Sequence, residues 1–220
     1  PAVLLGGSAW TITGPGFTAP TNVIVDCVAA PCTGLDTDPV AGQFTLVGLA
    51  VGTYTVTEST VPEGYTGAAE FTFTVDATNE GTVIDLGNQV NTRLLGSASW
   101  RKVDDSSPAV LLGGSGWTIT GPGFTAPTNV IVDCVAAPCT GLDTDPVAGQ
   151  FALEGLAWGT YTVTESTVPA GYTGAAEFTF TVDATNAGTV LGQGDKVNTR
   201  VLGTATWTKV DAADPGTKLA

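Results

Sequence analysis

The chain has 220 residues, and 21 acidic side chains against 7 basic ones give a formal net charge of −14. We expect no nucleic-acid partner, because phosphate binding depends on clustered cations that this composition does not supply. Histidine is absent, which excludes Ser-His-Asp and Cys-His catalysis and imidazole metal sites. No apolar run of about 18 residues is present, so we expect no membrane insertion by this segment.

The sequence repeats with a period of 107 residues. The segment that begins at Pro1 returns at Pro108, and 18 mismatches over 107 aligned positions leave 89 identical. A period of this length corresponds to a whole domain and not to a solenoid turn, and copies this similar indicate a recent duplication. The pattern starts a third time at Pro215, so we expect the chain to be a piece of a longer array.

Each copy is predicted to consist of short strands separated by turns that contain Gly and Pro. In the second copy, alternation and β-branched residues place strands at 97–103, 116–120, 129–134, 149–153, 160–165 and 177–184, with a last strand within 188–200. No segment of ten or more residues has helical periodicity. Strands at this density, with Gly-Pro-Gly and Asp-Pro turns, predict an all-β fold, a small antiparallel sandwich or barrel.

The period alone does not fix where a domain begins. We predict that 1–93 form a first repeat without its opening strand, that 94–200 form a complete repeat, and that 201–220 hold the opening strand of a third. The alternative frame begins a domain at Pro1 and ends it with the strand that carries Lys102. A periodic sequence is compatible with both frames.

Three repeat positions carry candidate functional side chains: a lysine in WxKVD, a glutamate that ends TYTVTE, and an asparagine in VNTR. They are occupied by Lys102 and Lys209, by Glu58 and Glu165, and by Asn91 and Asn198. Each has an ordinary explanation when taken alone. A lysine commonly protects a strand edge or is simply solvated, glutamate often lies on a strand face, and asparagine often ends a strand.

Together these motifs resemble a known family. The series WRKVD, LLGGSGWTITG, GQFALEGLAWGTYTVTESTVPAGY and KVNTR is similar to the Cna protein B-type domain family of Gram-positive surface adhesins and backbone pilins. That family has a lysine before Val-Asp, then Gly-x-Tyr-x-x-x-Glu and Pro-x-Gly-Tyr, and an asparagine in the last strand. The resemblance covers the whole repeat. It implies tandem immunoglobulin-like β-sandwich domains, located outside the cell at the wall or surface of a Gram-positive bacterium.

The resemblance also implies an intramolecular isopeptide bond between Lys102 and Asn198, with Glu165 as the assisting acid. Burial lowers the pKa of a lysine amine and raises that of a carboxylic acid, so a neutral amine could attack an amide polarised by a protonated carboxyl. Ammonia would leave. The reaction would happen once, during folding, so the chain is not expected to be an enzyme with turnover.

The first repeat supplies Glu58 and Asn91 but not their lysine, which we expect to precede Pro1 in the parent protein. Lys209 of another chain could take its place, which would give a head-to-tail, strand-complemented polymer. A closed monomer in which Lys209 reaches Asn91 of its own chain is the less favoured alternative.

The four cysteines repeat a C-x4-C spacing, as Cys27 with Cys32 and Cys134 with Cys139. A structural zinc site needs four ligands, so a local disulfide in each copy is the better interpretation. Disulfides in turn indicate an oxidising, extracellular setting.

One pair of acidic residues lies beside a proline in each copy. Asp36 and Asp38, with Asp143 and Asp145 as their repeat partners, are interpreted as solvated turns. A calcium site needs six to eight oxygen ligands, and the spacing is not that of an EF-hand. We therefore expect neither a metal nor a cofactor.

The leading functional prediction is structural: a stalk or fibre repeat of an adhesin or pilus-like protein, whose partners are neighbouring repeats or copies of itself. A sortase-polymerised pilin and a single-chain adhesin are both compatible parents. The alternative is an adhesive module that binds a host or matrix component through a loop such as 134–139 or around Trp158. A Ser-Lys enzyme is disfavoured, because Ser99 and Lys102 would point to opposite faces of a strand.

Overall fold

The computed structural model describes residues 3–214 and residue 216. Within them the chain forms twelve β-strands and no helix. The strands are β1 Ala9–Thr13, β2 Val23–Val25, β3 Gly52–Thr60, β4 Phe71–Val75, β5 Gly96–Asp104, β6 Gly116–Thr120, β7 Val130–Val132, β8 Gln150–Leu156, β9 Gly159–Thr167, β10 Tyr172–Thr173, β11 Phe178–Val182 and β12 Val190–Arg200. The all-β prediction is confirmed. Pro1 and Pro215, where the first and third copies of the repeat begin, lie outside the described residues.

The strands form three four-stranded sheets, in the orders β2-β1-β3-β4, β11-β9-β6-β7 and β10-β12-β5-β8. The first two sheets are copies of each other, with antiparallel neighbours in matching registers. In the third sheet, β5 and β12 run parallel. Two contacts show this direction, because the residue numbers rise together along both strands. The Ser97 N–H donates to the Thr189 carbonyl, and further along Arg101 forms an ion pair with Asp195.

The chain divides into two compact units. One contains the residues up to Ser97 together with Gly155–Thr160 and Thr181–Leu191. The other contains Ala98–Glu154, Tyr161–Phe180 and the chain from Gly192 onward.

Strand alternation builds the core of each unit. In the first unit one cluster of buried side chains consists of Trp10, Ile12, Ile24, Tyr54, Val56 and Phe73. Threonines occupy the alternate positions of β3 and β4 and point to solvent or partly to solvent, which is the pattern of a sheet with one buried face. In the second unit Trp100 stacks on Phe151, with ring centroids 5.0 Å apart, and meets Trp117 edge to face.

The first repeat differs from the second at the place where β5 lies. In the second repeat β5 lies between β12 and β8. The corresponding segments of the first repeat, 83–93 and 43–49, contain no strand of three or more residues in the described part of the chain. Phe44, Leu46 and Leu49 are only half-buried there, whereas their counterparts in β8 are at most 2% exposed. A central strand supplies hydrogen-bond partners to the strands on both of its sides. The segments beside it therefore form β-strands in the second repeat, where β5 is present, and not in the first.

Both disulfides predicted from the cysteine spacing are formed, Cys27 with Cys32 and Cys134 with Cys139. Beside each loop, however, the interpretation of the acidic residues as solvated turns is wrong for Asp36 and Asp143. Asp36 is fully buried and accepts backbone hydrogen bonds from Cys27, Asp38 and Thr45, at 2.9 to 3.0 Å.

Asp143 repeats this arrangement, with bonds from Cys134, Asp145 and Ala152. Three N–H donors compensate the burial of each carboxylate and use the oxygens that a metal would need. Burial raises the pKa of Asp143, and the hydrogen bonds from these three N–H groups oppose that shift.

The segment 201–214, predicted to hold an opening strand, is exposed and contains no strand. Trp207 is 87% exposed, whereas its counterpart Trp100 in β5 is 2% exposed. A β-strand needs ladder partners, and the segment joins none of the three described sheets. Residues 215 and 217–220 of the predicted strand segment lie outside the described part.

Candidate functional site

Lys102 lies in the middle of the third sheet and is fully buried. Alternation along β5 turns Ala98, Trp100 and Lys102 toward the interior, and Ser99 to the other face. The explanations of Lys102 as an edge gatekeeper or a solvated residue are therefore wrong, because β5 is a central strand. The opposite orientation of Ser99 agrees with the argument against Ser-Lys chemistry.

The Lys102 amine makes a hydrogen bond to the neighbouring strand: Nζ donates to the backbone carbonyl of Lys196, at 2.7 Å. Burial lowers the pKa of Lys102, and the negative charge of Glu165 opposes that shift. A lowered pKa increases the fraction of neutral amine, which is the form that can attack a carbonyl.

Glu165 faces the same interior from β9. It stands opposite the buried Trp117 in the β6–β9 register, so both side chains point to the same face of their sheet. Its two carboxylate oxygens have different partners. Oε2 accepts a hydrogen bond from the Ala175 N–H at 2.6 Å, and Oε1 accepts one from Asn198 Nδ2 at 3.1 Å.

Asn198 lies on β12 and is fully buried. Its Nδ2 donates to Glu165, while its carbonyl oxygen Oδ1 is buried and accepts no hydrogen bond from the described residues. Lys196, whose carbonyl holds the Lys102 amine, precedes it by two residues on the same strand. The structure thus brings together Lys102, Glu165 and Asn198, which come from β5, β9 and β12.

The first repeat contains the equivalent acid and amide. Glu58 Oε2 accepts hydrogen bonds from Asn91 Nδ2 at 2.8 Å and from the Ala68 N–H at 2.6 Å. Within the described chain, Oε1 of Glu58 is buried and has no hydrogen-bond partner. Lys209, the third predicted member of this site, is not part of the pair and lies in the exposed segment 201–214.

Lys196 is a member of the site that the sequence analysis did not identify. Its side chain lies over the ring of Phe178, with Nζ 3.9 Å from the ring centroid, and burial lowers its pKa. The contribution of Lys196 to Lys102 comes from a backbone carbonyl, which no side-chain motif encodes. The sequence nevertheless marks this position, because it is one of the few at which the two repeats differ: Lys196 corresponds to Gln89 in the first repeat.

The structure also shows how exposed the residues of the alternative, ligand-binding interpretation are. Trp158 is half-buried, and the loop between Cys134 and Cys139 is exposed apart from its two half-buried cysteines. Over residues 3–214 and residue 216, no cluster of three potential metal-binding side chains forms, and no helix is long and apolar enough to cross a membrane.

The family model of the SpaA prealbumin-like fold domain matches residues 26–90 and 96–196. Among solved structures, the chain is similar to the Bacillus anthracis TIE protein, with a TM-score of 0.61 and 21% identity, over 98% of this chain and 35% of that one. It therefore spans about a third of that protein. No curated protein sequence matches the chain.

The C-terminal fragment of the pilus adhesin SpaC from Lactobacillus rhamnosus GG is also similar, with a TM-score of 0.54, 14% identity and 91% coverage of each chain. The shaft pilin SpaA from the same organism matches with a TM-score of 0.36 and 19% identity, over 91% of this chain and 87% of that one. At these identities the likeness shows the fold, and it rests on the matches to the TIE and SpaC proteins.

Proposed function

Because this chain belongs to the family of SpaA prealbumin-like fold domains, we propose that it is a structural repeat of a pilus-like fibre or adhesin stalk on the surface of a Gram-positive bacterium. SpaA-type pilin domains are extracellular surface components of such bacteria, and pilin subunits assemble with one another. The observation that carries the proposal for this chain is the fully buried Lys102 beside the hydrogen-bonded pair of Glu165 and Asn198. This arrangement suits the formation of an isopeptide bond.

The reaction begins with a proton transfer. The buried ammonium of Lys102 is poorly solvated, and passing a proton from it to the half-buried Glu165 replaces two charges by two neutral groups. Rotation of the Asn198 amide by 180° then exchanges Nδ2 and Oδ1. The protonated Oε1 of Glu165 can donate to Oδ1, which otherwise lacks a donor.

The bond changes balance. Nζ of Lys102 forms a bond to Cγ of Asn198, and the bond from Cγ to Nδ2 breaks. Two protons leave Nζ in all, the first of them to the Glu165 carboxylate. One of the two, relayed by Glu165, joins the two hydrogens of Nδ2 and departs as ammonia, and the other stays on the Glu165 carboxyl. The hydrogen bond of Oε2 to the Ala175 N–H fixes the carboxyl while Oε1 moves the proton. Each bond forms once, so no catalytic cycle follows.

The cross-link would join the first and last strands of the complete repeat. β5 opens this repeat and β12 closes it, and the two are parallel neighbours. Tension applied through the chain at both ends would pass across the covalent bond, and the strands between them would carry none of it. A repeat built in this way resists extension, which is what a fibre subunit requires.

We extend the proposal to assembly: the strand of Lys209 from one chain would complete the first repeat of another. The first repeat offers half-buried Phe44, Leu46 and the pair of Glu58 with Asn91, while the segment 201–214 offers an exposed Trp207. Each part thus presents apolar surface that β5 and its neighbours bury in the second repeat.

The parallel arrangement argues against β5 itself as the partner of the first repeat. β5 begins at Gly96, directly after the segment 83–93. Parallel neighbours need a crossover of about a dozen residues or more, so β5 cannot turn back beside the segment that precedes it. The same argument disfavours the frame in which a domain begins at Pro1 and ends with the strand of Lys102.

Intact mass under denaturing, non-reducing conditions tests the cross-link. We expect the chain to be lighter than its sequence by about 17 Da for each ammonia lost, beyond the small effect of the disulfides. Lys102→Ala should abolish the loss in the second repeat. Lys196→Ala is the matched control, because it removes the other lysine side chain of the site, which is half-buried, but keeps the carbonyl, and it should retain the loss. A wild-type mass without any loss contradicts the proposal.

The adhesive alternative has weaker support, since no described cavity or charged patch identifies a ligand. Its candidate residues are Trp158 and the cysteine loops. It becomes the better explanation only if the mass measurement shows no cross-link.

A further inference from the structure

The differences between the two repeats are concentrated on one sheet. In the strands β6, β7, β9 and β11 and their counterparts, only one aligned position differs, Ala9 against Gly116. Ten positions differ in the strands of the third sheet and their counterparts: two in β8, five in β12 and three in β5. The sequence differences between the strands of the two repeats therefore lie mainly on β5, the opening strand, and on its two neighbours, β8 and β12.

Two ion pairs join β5 to β12 in the second repeat. The guanidinium of Arg101 holds Asp195 through two hydrogen bonds, from Nε at 2.6 Å and from Nη2 at 2.9 Å. Arg200 Nε donates to Oδ1 of Asp105, just beyond β5, at 2.9 Å. These pairs come from the two strands that must recognise each other for the repeat to close.

The members of the first pair change together. In the segment 201–214 the position of Arg101 is taken by Thr208, and in the first repeat the position of Asp195 is taken by Asn88. The arginine and the aspartate of the complete repeat thus correspond to two neutral polar side chains, one in the segment 201–214 and one in the first repeat that this segment is proposed to complete. The remaining cation of the second pair, Arg200, keeps its counterpart in Arg93, whereas Asp105 becomes Ala212.

We infer that the positions of the first pair, Arg101 and Asp195, determine which opening strand each repeat accepts. The second pair does not contribute to this selectivity, because Arg93 has no carboxylate opposite it when Ala212 takes the place of Asp105. The strand of Arg101 suits a repeat with aspartate at the Asp195 position, and the strand of Thr208, from a second copy of this chain, suits the repeat with Asn88. The mismatched combinations leave either an arginine without its carboxylate or a carboxylate without its cation. This inference rests on the strand complementation proposed above and specifies how it becomes selective.

Selective pairing of opening strands would reduce strand exchange between the two similar repeats. With 89 of 107 positions identical, neighbouring repeats can exchange strands during folding, a common failure of repeat proteins. A charge difference at the strand interface opposes that exchange without altering the core. The pairs are solvent-exposed, so their effect is modest and falls as salt screens the charges.

A binding cycle with the full chain tests the inference. The probes are two synthetic, fluorescently labelled peptides of residues 201–214, one with Thr208 and one with Thr208→Arg, both with Lys209→Met so that no covalent step occurs. Their dissociation constants are measured by fluorescence anisotropy against the unaltered chain and against Asn88→Asp. Thr72→Asp, an exposed position on β4 in the other sheet, is the control with the same charge change.

We expect Asn88→Asp to shift the preference toward the arginine peptide by about threefold or more at low salt, and 1 M NaCl to remove most of that shift. Thr72→Asp should leave the preference unchanged. Equal preferences in all three chains, or a shift that salt does not reduce, overturn the selectivity alone. Binding of neither peptide to chains that size-exclusion chromatography shows to be monomeric, whose first repeats hold no strand from another chain, overturns strand complementation, and the selectivity with it, so the two failures are distinguishable.

Discussion

Lys102→Met removes the cross-link at little cost in packing, and its effect on stability can be worked from the chain lengths. The bond would close a loop of about 100 residues between Lys102 and Asn198, which stabilises the fold by about 4.7 kcal/mol in the chain-entropy model. The Cys134–Cys139 disulfide spans only five residues and should contribute about 2 kcal/mol. Methionine fills a similar volume and leaves no charge buried.

The assay is thermal unfolding of the second unit, followed by fluorescence of its buried tryptophans Trp100 and Trp117. We expect Lys102→Met to lower the midpoint by roughly 20 °C. The double variant Cys134→Ser with Cys139→Ser, the internal standard, should lower it by about half as much or less. If Lys102→Met destabilises the unit no more than the disulfide variant does, the loop-closure reasoning is refuted.

Three further predictions follow from the site and its surroundings. Glu165→Gln keeps an acceptor for the Ala175 N–H but cannot relay a proton, so the second repeat should retain its full mass and show no ammonia loss by mass spectrometry. In Asn198→Ala, Lys102 stays a free amine with a lowered pKa; the unfolded state binds more protons, so the melting temperature should rise as the pH increases toward 10.5, unlike that of the cross-linked protein. Asp143→Ala leaves three part-buried N–H groups without their acceptor and should cost about 2–3 kcal/mol in urea unfolding, whereas Asp145→Ala, which removes one exposed hydrogen bond from the Val147 N–H, should cost much less.

The strands were predictable because their signal is local. Alternation in TYTVTE and FTFTV corresponds to β9 and β11, and the predicted positions of β5, β6 and β8 agree with the structure to within a few residues. The cysteine pairs were predictable for the same reason, since five residues separate the members of each pair.

The environment of Lys102 was not predictable from the residues alone, because a lysine in an alternating strand has the same pattern at a sheet edge and at a sheet centre. Only the pairing of β5 with β12, over about 90 residues of sequence, places it inside. Asp36 and Asp143 illustrate the same limit. Their burial depends on backbone N–H donors from β8 or its counterpart segment, which a local Asp-Pro motif does not reveal.

Tandem mass spectrometry of a protease digest can locate the isopeptide bond. We expect one branched peptide in which Lys102 and Asn198 are joined with the loss of about 17 Da. We also expect this peptide to be absent from Lys102→Met and Glu165→Gln but present in Lys196→Ala. Recovery of separate, unmodified peptides containing Lys102 and Asn198 from the folded wild-type protein would contradict the proposed bond.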